Sequence, residues 1–171
     1  GAELVDDRVV RSGKIDIDKA KELLKEAGYP NGLDLTLWVR NDQQRLDMAQ
    51  SIQETLGRAG IKVTLKTGTG SEILGDFRAR KQQLILEAWG PDYPDPQTNA
   101  STFASNANNS DEAKLTGVLA WRTAWAAKDT TPMVEAAVVE KDSDKRAKMY
   151  EDMQRQMQKG SPFAWMFQEI A

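Results

Sequence analysis

Ala20, Leu23, Leu24 and Ala27 recur at i, i+3, i+4 and i+7, the spacing of one helix face. Asp16 or Asp18 stands where an N-cap belongs, and Gly28 where a left-handed residue ends a helix. After the turn Pro30-Asn31-Gly32, Leu33, Leu35, Leu37 and Val39 alternate with Asp34, Thr36, Trp38 and Arg40. A period of two predicts a strand with one strongly apolar face. Ala49, Ile52, Leu56 and Ala59 then predict a helix from about Gln43 to Ala59, closed by Gly60. Ile61, Val63 and Leu65 mark a second strand, and a shorter helix is expected from Ser71 to Lys81. Leu84-Ile85-Leu86 is a continuous apolar run, as in a central parallel strand buried on both faces. Strand, helix, strand, helix, strand at these spacings is a βαβαβ unit with parallel pairing and right-handed crossovers.

From Gly90 to Asp111 the periodicity stops, and three prolines and four asparagines argue for a long, ordered, functional loop. Beyond it the pattern is helical. Leu115, Val118, Trp121, Arg122 and Trp125 lie along one expected helix. Thr131-Pro132 opens a second, with the Thr131 hydroxyl as N-cap and proline at the first helical position. A third runs from about Ser143 to Lys159 with Met149, Met153 and Met157 one turn apart, and Phe163 to Phe167 reads as a final strand. A start at Gly1-Ala2-Glu3 and an end in mid-strand are what a processed or excised piece would show, and a length of 171 residues is that of a single domain over 1–171.

Composition narrows the chemistry. Of 171 residues, 40% are hydrophobic and 29% charged, which fits a globular chain. The richest apolar stretch, Val118 to Ala127, is broken by Arg122, so no membrane insertion is expected. Twenty-three basic against 26 acidic residues give a net charge of −3, which argues against nucleic acid as a partner. There is no Cys and no His, which removes thiolate nucleophiles, Cys-zinc sites and the commonest general base. No enzyme activity, catalytic residue, metal site or cofactor is expected.

Ligands in open α/β sheets bind beyond the carboxyl ends of the parallel strands. That rule selects Arg40 to Gln44, Thr67 to Ser71 and the segment from Trp89. The last is richest, because Trp89-Gly90-Pro91-Asp92-Tyr93-Pro94-Asp95-Pro96 holds two aromatics, two carboxylates and three prolines. Prolines reduce the segment's freedom, and rigid aromatic walls beside an anion suit an apolar or cationic ligand. The competing reading makes Trp89 and Tyr93 core plugs and the aspartates turn caps. Thr67-Gly68-Thr69-Gly70-Ser71 lacks both the dinucleotide and the P-loop signature, and a plain strand-to-helix turn is expected there. Asp92 with Asp95, or Glu87 with Asp92, would be the acid pair of a carboxylate-based hydrolase. A purely structural or interaction domain is the third alternative. Lys141 to Lys148, of mixed charge, reads as a solvated face, and Trp121 and Trp125 as buried.

Four segments resemble a known family. Asp16 to Gly32 is similar to the "D-x-x-KA-x-x-LL-x-EAGYP-x-G" segment of family 5 extracellular solute-binding proteins, the dipeptide- and oligopeptide-binding components of ABC importers. Ala49 to Leu56 with Gly60 to Val63 resembles that family's next helix and strand. Trp89 to Pro96 resembles its "W-x-x-DYPDP" loop, and Asp142 to Gln154 its late "D-x-x-KR-x-x-x-Y-x-x-x-Q" helix. The resemblance implies an α/β, type II periplasmic-binding-protein-like lobe with flanking helices and a helical C-terminal half. It further implies the second lobe of a larger two-lobe protein, whose missing first lobe and ABC permease would be partners, working in the periplasm or at the cell surface. By position, Asp92 matches the aspartate that pairs with a ligand's α-amino group, Trp89 and Tyr93 would wall the pocket, and Asp95 and Asn41 lie beside them. Some oligopeptide binders carry an arginine where this chain has Leu86, so Arg40 is the remaining candidate for a ligand carboxylate. A small solute such as a peptide is the expected ligand; nickel complexes, haem, sugars and opines are bound by other members.

Overall fold

The computed structural model describes residues 16–166, divided into two compact units that meet between Ala88 and Trp89. The first unit opens with α1 (Ile17–Glu26), capped by Asp16, whose carboxylate accepts from the Lys19 amide, and ended by Gly28 at φ +91°. Then follow β1 (Leu33–Arg40), α2 (Gln43–Arg58), β2 (Ile61–Gly68), α3 (Gly70–Arg78) and β3 (Leu84–Leu86). Both other strands pair with β1 in parallel, as the βαβαβ reading expects, but the order β2-β1-β3 puts β1 in the centre rather than Leu84–Leu86. Gly32 and Gly60 set where the first ladder begins. The Gly60 carbonyl accepts from the Leu33 amide, and a Cβ on Gly32 would lie 1.9 Å from that carbonyl oxygen. With φ at +80°, position 32 needs glycine on both counts.

The apolar face of β1 forms the core with α2. Leu37, Val39, Ala49 and Val63 are buried together, with Leu46, Ile52, Leu56 and Leu84 packed around them. Val39 has no exposed surface, and such a side chain contributes roughly 1.5–3 kcal/mol relative to its exposed state. The opposite face is covered as well, which simple alternation did not predict. Trp38 is buried, and its indole N–H donates to Asp76 of α3 at 3.2 Å. Lys66 closes the assembly, with its ammonium 4.8 Å from the Trp38 ring centre and 2.7 Å from the Asp76 carboxylate. All three β3 residues are only partly buried, short of the expected burial on both faces.

The second unit is helical: α4 (Pro96–Phe103), a 3₁₀ turn (Asp111–Ala113), α5 (Leu119–Arg122), α6 (Thr131–Val139) and α7 (Ser143–Gly160). Four expectations change here. The segment from Gly90 to Asp111 is not loop throughout, because Asp95 caps α4 through the Gln97 amide at 2.8 Å and Pro96 fills its first turn. The helix expected through Leu115 to Trp125 shrinks to the four buried residues of α5. Ala124 and Ala127 have φ of +56° and +48°, which no continuing helix allows. Thr131 is the first residue of α6 rather than its cap; its hydroxyl donates to the Ala127 carbonyl and accepts from the Asn106 amide. Residues 163–166 are irregular rather than a strand, and Phe167 lies outside the described residues. Two of the three stripe methionines are core as read, Met153 and Met157 being buried beside Tyr150 on α7, while Met149 is half-buried.

Candidate ligand-binding site

The ladders bring the carboxyl ends of the three strands side by side, Arg40 opposite Gly68 and Val39 opposite Leu86. The turn after β2 holds no open cradle for a phosphate. Thr69 and Glu72 form a reciprocal capping box, in which the Glu72 carboxylate takes the Thr69 amide at 2.7 Å. That amide bond, with the Thr69 hydroxyl, holds the Glu72 carboxyl below its ordinary range. Asn41 is exposed, its amide bonded to the Gly68 carbonyl at 2.9 Å. Arg40 is engaged. Its Nε donates to Glu87 Oε1 at 3.0 Å, and its Nη2 lies 3.0 Å from Glu87 Oε2.

In the second unit, Trp89 and Tyr93 are not core plugs, at 37% and 49% exposed. Trp89 is nonetheless fixed. Its indole N–H donates to Asn99 Oδ1 at 3.0 Å, and its ring meets Phe103 edge-on at 5.7 Å. Phe103 is itself packed edge-to-face by Phe163 at 5.2 Å and Trp165 at 4.9 Å. Phe163 and Trp165 thus brace the ring on which Trp89 rests.

The two aspartates of the segment have different roles. Asp95 accepts from Arg146 Nη1 at 3.0 Å and Nη2 at 2.8 Å, a two-pronged ion pair, besides capping α4. The Arg146 bonds, then the Gln97 amide, hold the Asp95 carboxyl below its ordinary range. Arg146 Nη2 also donates to the Tyr150 hydroxyl at 3.1 Å, and that hydroxyl donates to Gln97 Oε1 at 2.7 Å. Burial raises the Tyr150 hydroxyl above its usual range, and the neighbouring guanidinium only partly offsets it. Asp92 is exposed and takes part in no hydrogen bond or ion pair among the described residues. The segment therefore presents one uncompensated carboxylate between two half-exposed aromatic side chains.

An acid pair is not what this geometry offers, since Glu87 is paired with Arg40 and Asp95 with Arg146. The described residues hold no cluster of three or more acidic residues able to take a metal ion. Arg146 and Tyr150 fell within the late-helix motif but were given no site role, Arg146 because it sits in the Lys141–Lys148 stretch of mixed charge that reads as solvated. Their i, i+4 spacing on one helix face was the available signal.

Along the chain, a parallel three-stranded unit is followed by a helical unit, and the aromatic and carboxylate segment comes directly after the last strand. Residues 5–111 match the model of the bacterial extracellular solute-binding proteins, family 5, middle region, and the chain belongs to that family. The di/tripeptide-binding protein 3 of Pseudomonas aeruginosa is 26% identical over 163 residues, 91% of this chain and 29% of the relative. The dipeptide-binding protein of Escherichia coli K12 is 26% identical over 152 residues, 86% of this chain and 27% of the relative. Among solved structures, the periplasmic binding protein DppA of Helicobacter pylori, in complex with the peptide STSA, superposes with a TM-score of 0.75. That alignment is 25% identical and covers 86% of this chain and 28% of the other. The fold is accordingly of the type II periplasmic-binding-protein class. The chain spans under a third of the length of these relatives. No helix among the described residues is long and apolar enough to cross a membrane.

Proposed function

We propose that this chain is the second, ligand-binding lobe of an ABC importer's solute-binding protein, working outside the cytoplasm and capturing small peptides without turning them over. The first lobe would come from the rest of a longer protein, and the permease would be the downstream partner. What carries the reading is the uncompensated Asp92 carboxylate between Trp89 and Tyr93, on a segment braced by prolines and by the Asp95–Arg146 pair. An ammonium ligand gains a charge-assisted bond at Asp92, while the ring faces accept apolar and cationic groups without reading a particular side chain. Asp95 serves by positioning, and Arg40 and Asn41 line the strand ends beside β2. The similarity to di- and tripeptide-binding proteins supports the same ligand class.

Calorimetric titration of the full-length protein with alanyl-alanine tests this. Saturable binding without hydrolysis is expected, lost on N-acetylation of the peptide and weakened by about 10- to 100-fold in Asp92→Asn, the range of a hydrogen bond to a charged group. Equal binding of the acetylated peptide, or peptide hydrolysis, would refute the proposal.

A further inference from the structure

The register that sets Val39 opposite Leu86 brings Arg40, the last residue of β1, beside Glu87, the residue that follows β3. They are bound to each other there. Glu87 is well buried, its side chain 13% exposed against 33% for Arg40. Its Oε2 is sealed from solvent, lacks an aligned hydrogen bond among the described residues, and lies 3.0 Å from Nη2 of Arg40. On its other side the guanidinium lies along Gly70, where an added Cβ would come within 3.5 Å of Nη1. Turning Arg40 toward a ligand carboxylate would therefore strand a buried acid, at a cost that one new ion pair does not return.

We infer that Glu87 is a specificity-determining residue: it cancels the charge of Arg40, so this end of the sheet does not select a ligand for a free carboxylate. The Arg40–Glu87 pair then adds no preference for a free carboxylate over an amide or a continuing chain. This rests on the proposed peptide-binding function and sharpens it.

The test uses full-length protein and two probes, trialanine and trialanine amide, titrated calorimetrically into wild type, Glu87→Gln and the Arg40→Gln/Glu87→Gln double variant. Removing both partners together avoids burying either one alone. In the double variant the acid-to-amide affinity ratio should equal that of wild type within about 3-fold. In Glu87→Gln the released guanidinium should shift the ratio toward the acid by roughly 10-fold or more, the range of a charge-assisted pair. A double variant that loses an acid preference present in wild type would overturn the inference, and so would an unchanged ratio in Glu87→Gln. If Glu87→Gln fails to fold, the double variant alone decides. Wild type that binds neither probe refutes the peptide-binding reading and this inference with it. Binding of both with the wrong ratios refutes only the inference.

Discussion

Phe103 is the position at which packing and the candidate site are most directly joined. The ring is 6% exposed and meets Trp89, Phe163 and Trp165 edge-on, with the nearest ring centre at 4.9 Å. Phe103→Ala leaves a cavity under Trp89 and should cost roughly 3–5 kcal/mol. Phe103→Leu keeps most of the volume and removes the ring edges. Each aromatic pair contributes about 0.5–1.5 kcal/mol beyond burial. With Trp89 and Trp165 both partly in water, the low end of that range applies, and the leucine variant should lose about 1.5–2 kcal/mol. Urea denaturation followed by far-ultraviolet circular dichroism measures both losses. The near-ultraviolet spectrum reports whether the rings stay locked, which five tryptophans emitting together would obscure in fluorescence. An alanine variant within about 1 kcal/mol of wild type would refute the claim that this cluster supports Trp89. Equal losses in both variants would show that ring orientation, and not filled volume, holds the site.

Further expectations concern other parts of the chain. Asp76 accepts from Lys66, from the Trp38 indole and from Lys81, which together pull its carboxyl down to about 2. Its stabilisation is complete above the ordinary value of 3.8 and fades as the pH falls toward 2; a urea midpoint measured across that window should drop in wild type more than in Asp76→Asn. Arg146→Lys should fail to restore what Arg146→Met removes, because an ammonium cannot span both Asp95 oxygens; hydrogen exchange at the start of α4 should rise alike in the two variants. Gly32→Ala should destabilise by more than the ~1–2 kcal/mol of left-handed backbone strain, because it also collides with the Gly60 carbonyl. Gly57→Ala, on a helix position with open space around it, should stabilise by about 0.5 kcal/mol, and urea denaturation measures both glycine variants.

The first unit was legible because each of its elements carries its own period. Leu33 to Val39 fixes a face, and Gly28, Gly32 and Gly60 mark the breaks. The second unit was not, for a local reason. Helix α4 is short and polar, buried through Thr98, Ala100, Thr102 and Phe103, and carries no apolar stripe to find. Asp95-Pro96 was the one readable sign, a cap followed by proline in the first turn, and the same chemistry was noticed at Thr131-Pro132. The candidate segment was singled out by its residue types, yet the different contacts of Asp92 and Asp95 were not foreseen. It depends on Arg146, 51 positions away in the chain, and no short-range pattern encodes that pairing. The role of Arg40 was likewise hidden, since Glu87 meets it only once two ladders are in register.

The strand order also governs how the sheet is assembled. Of the three described strands, β1 is made before the other two and occupies the middle, so β2 and β3 each arrive at a free edge of something already present. Among these three, none has to be threaded between two others. The β1–β2 ladder closes across α2 alone, and β3 then adds from the far side once α3 has crossed. Parallel pairing is slow because each ladder must await a crossover. Here the wait comes in two short steps rather than one long one, and an unfinished chain exposes a single open edge of β1 between them.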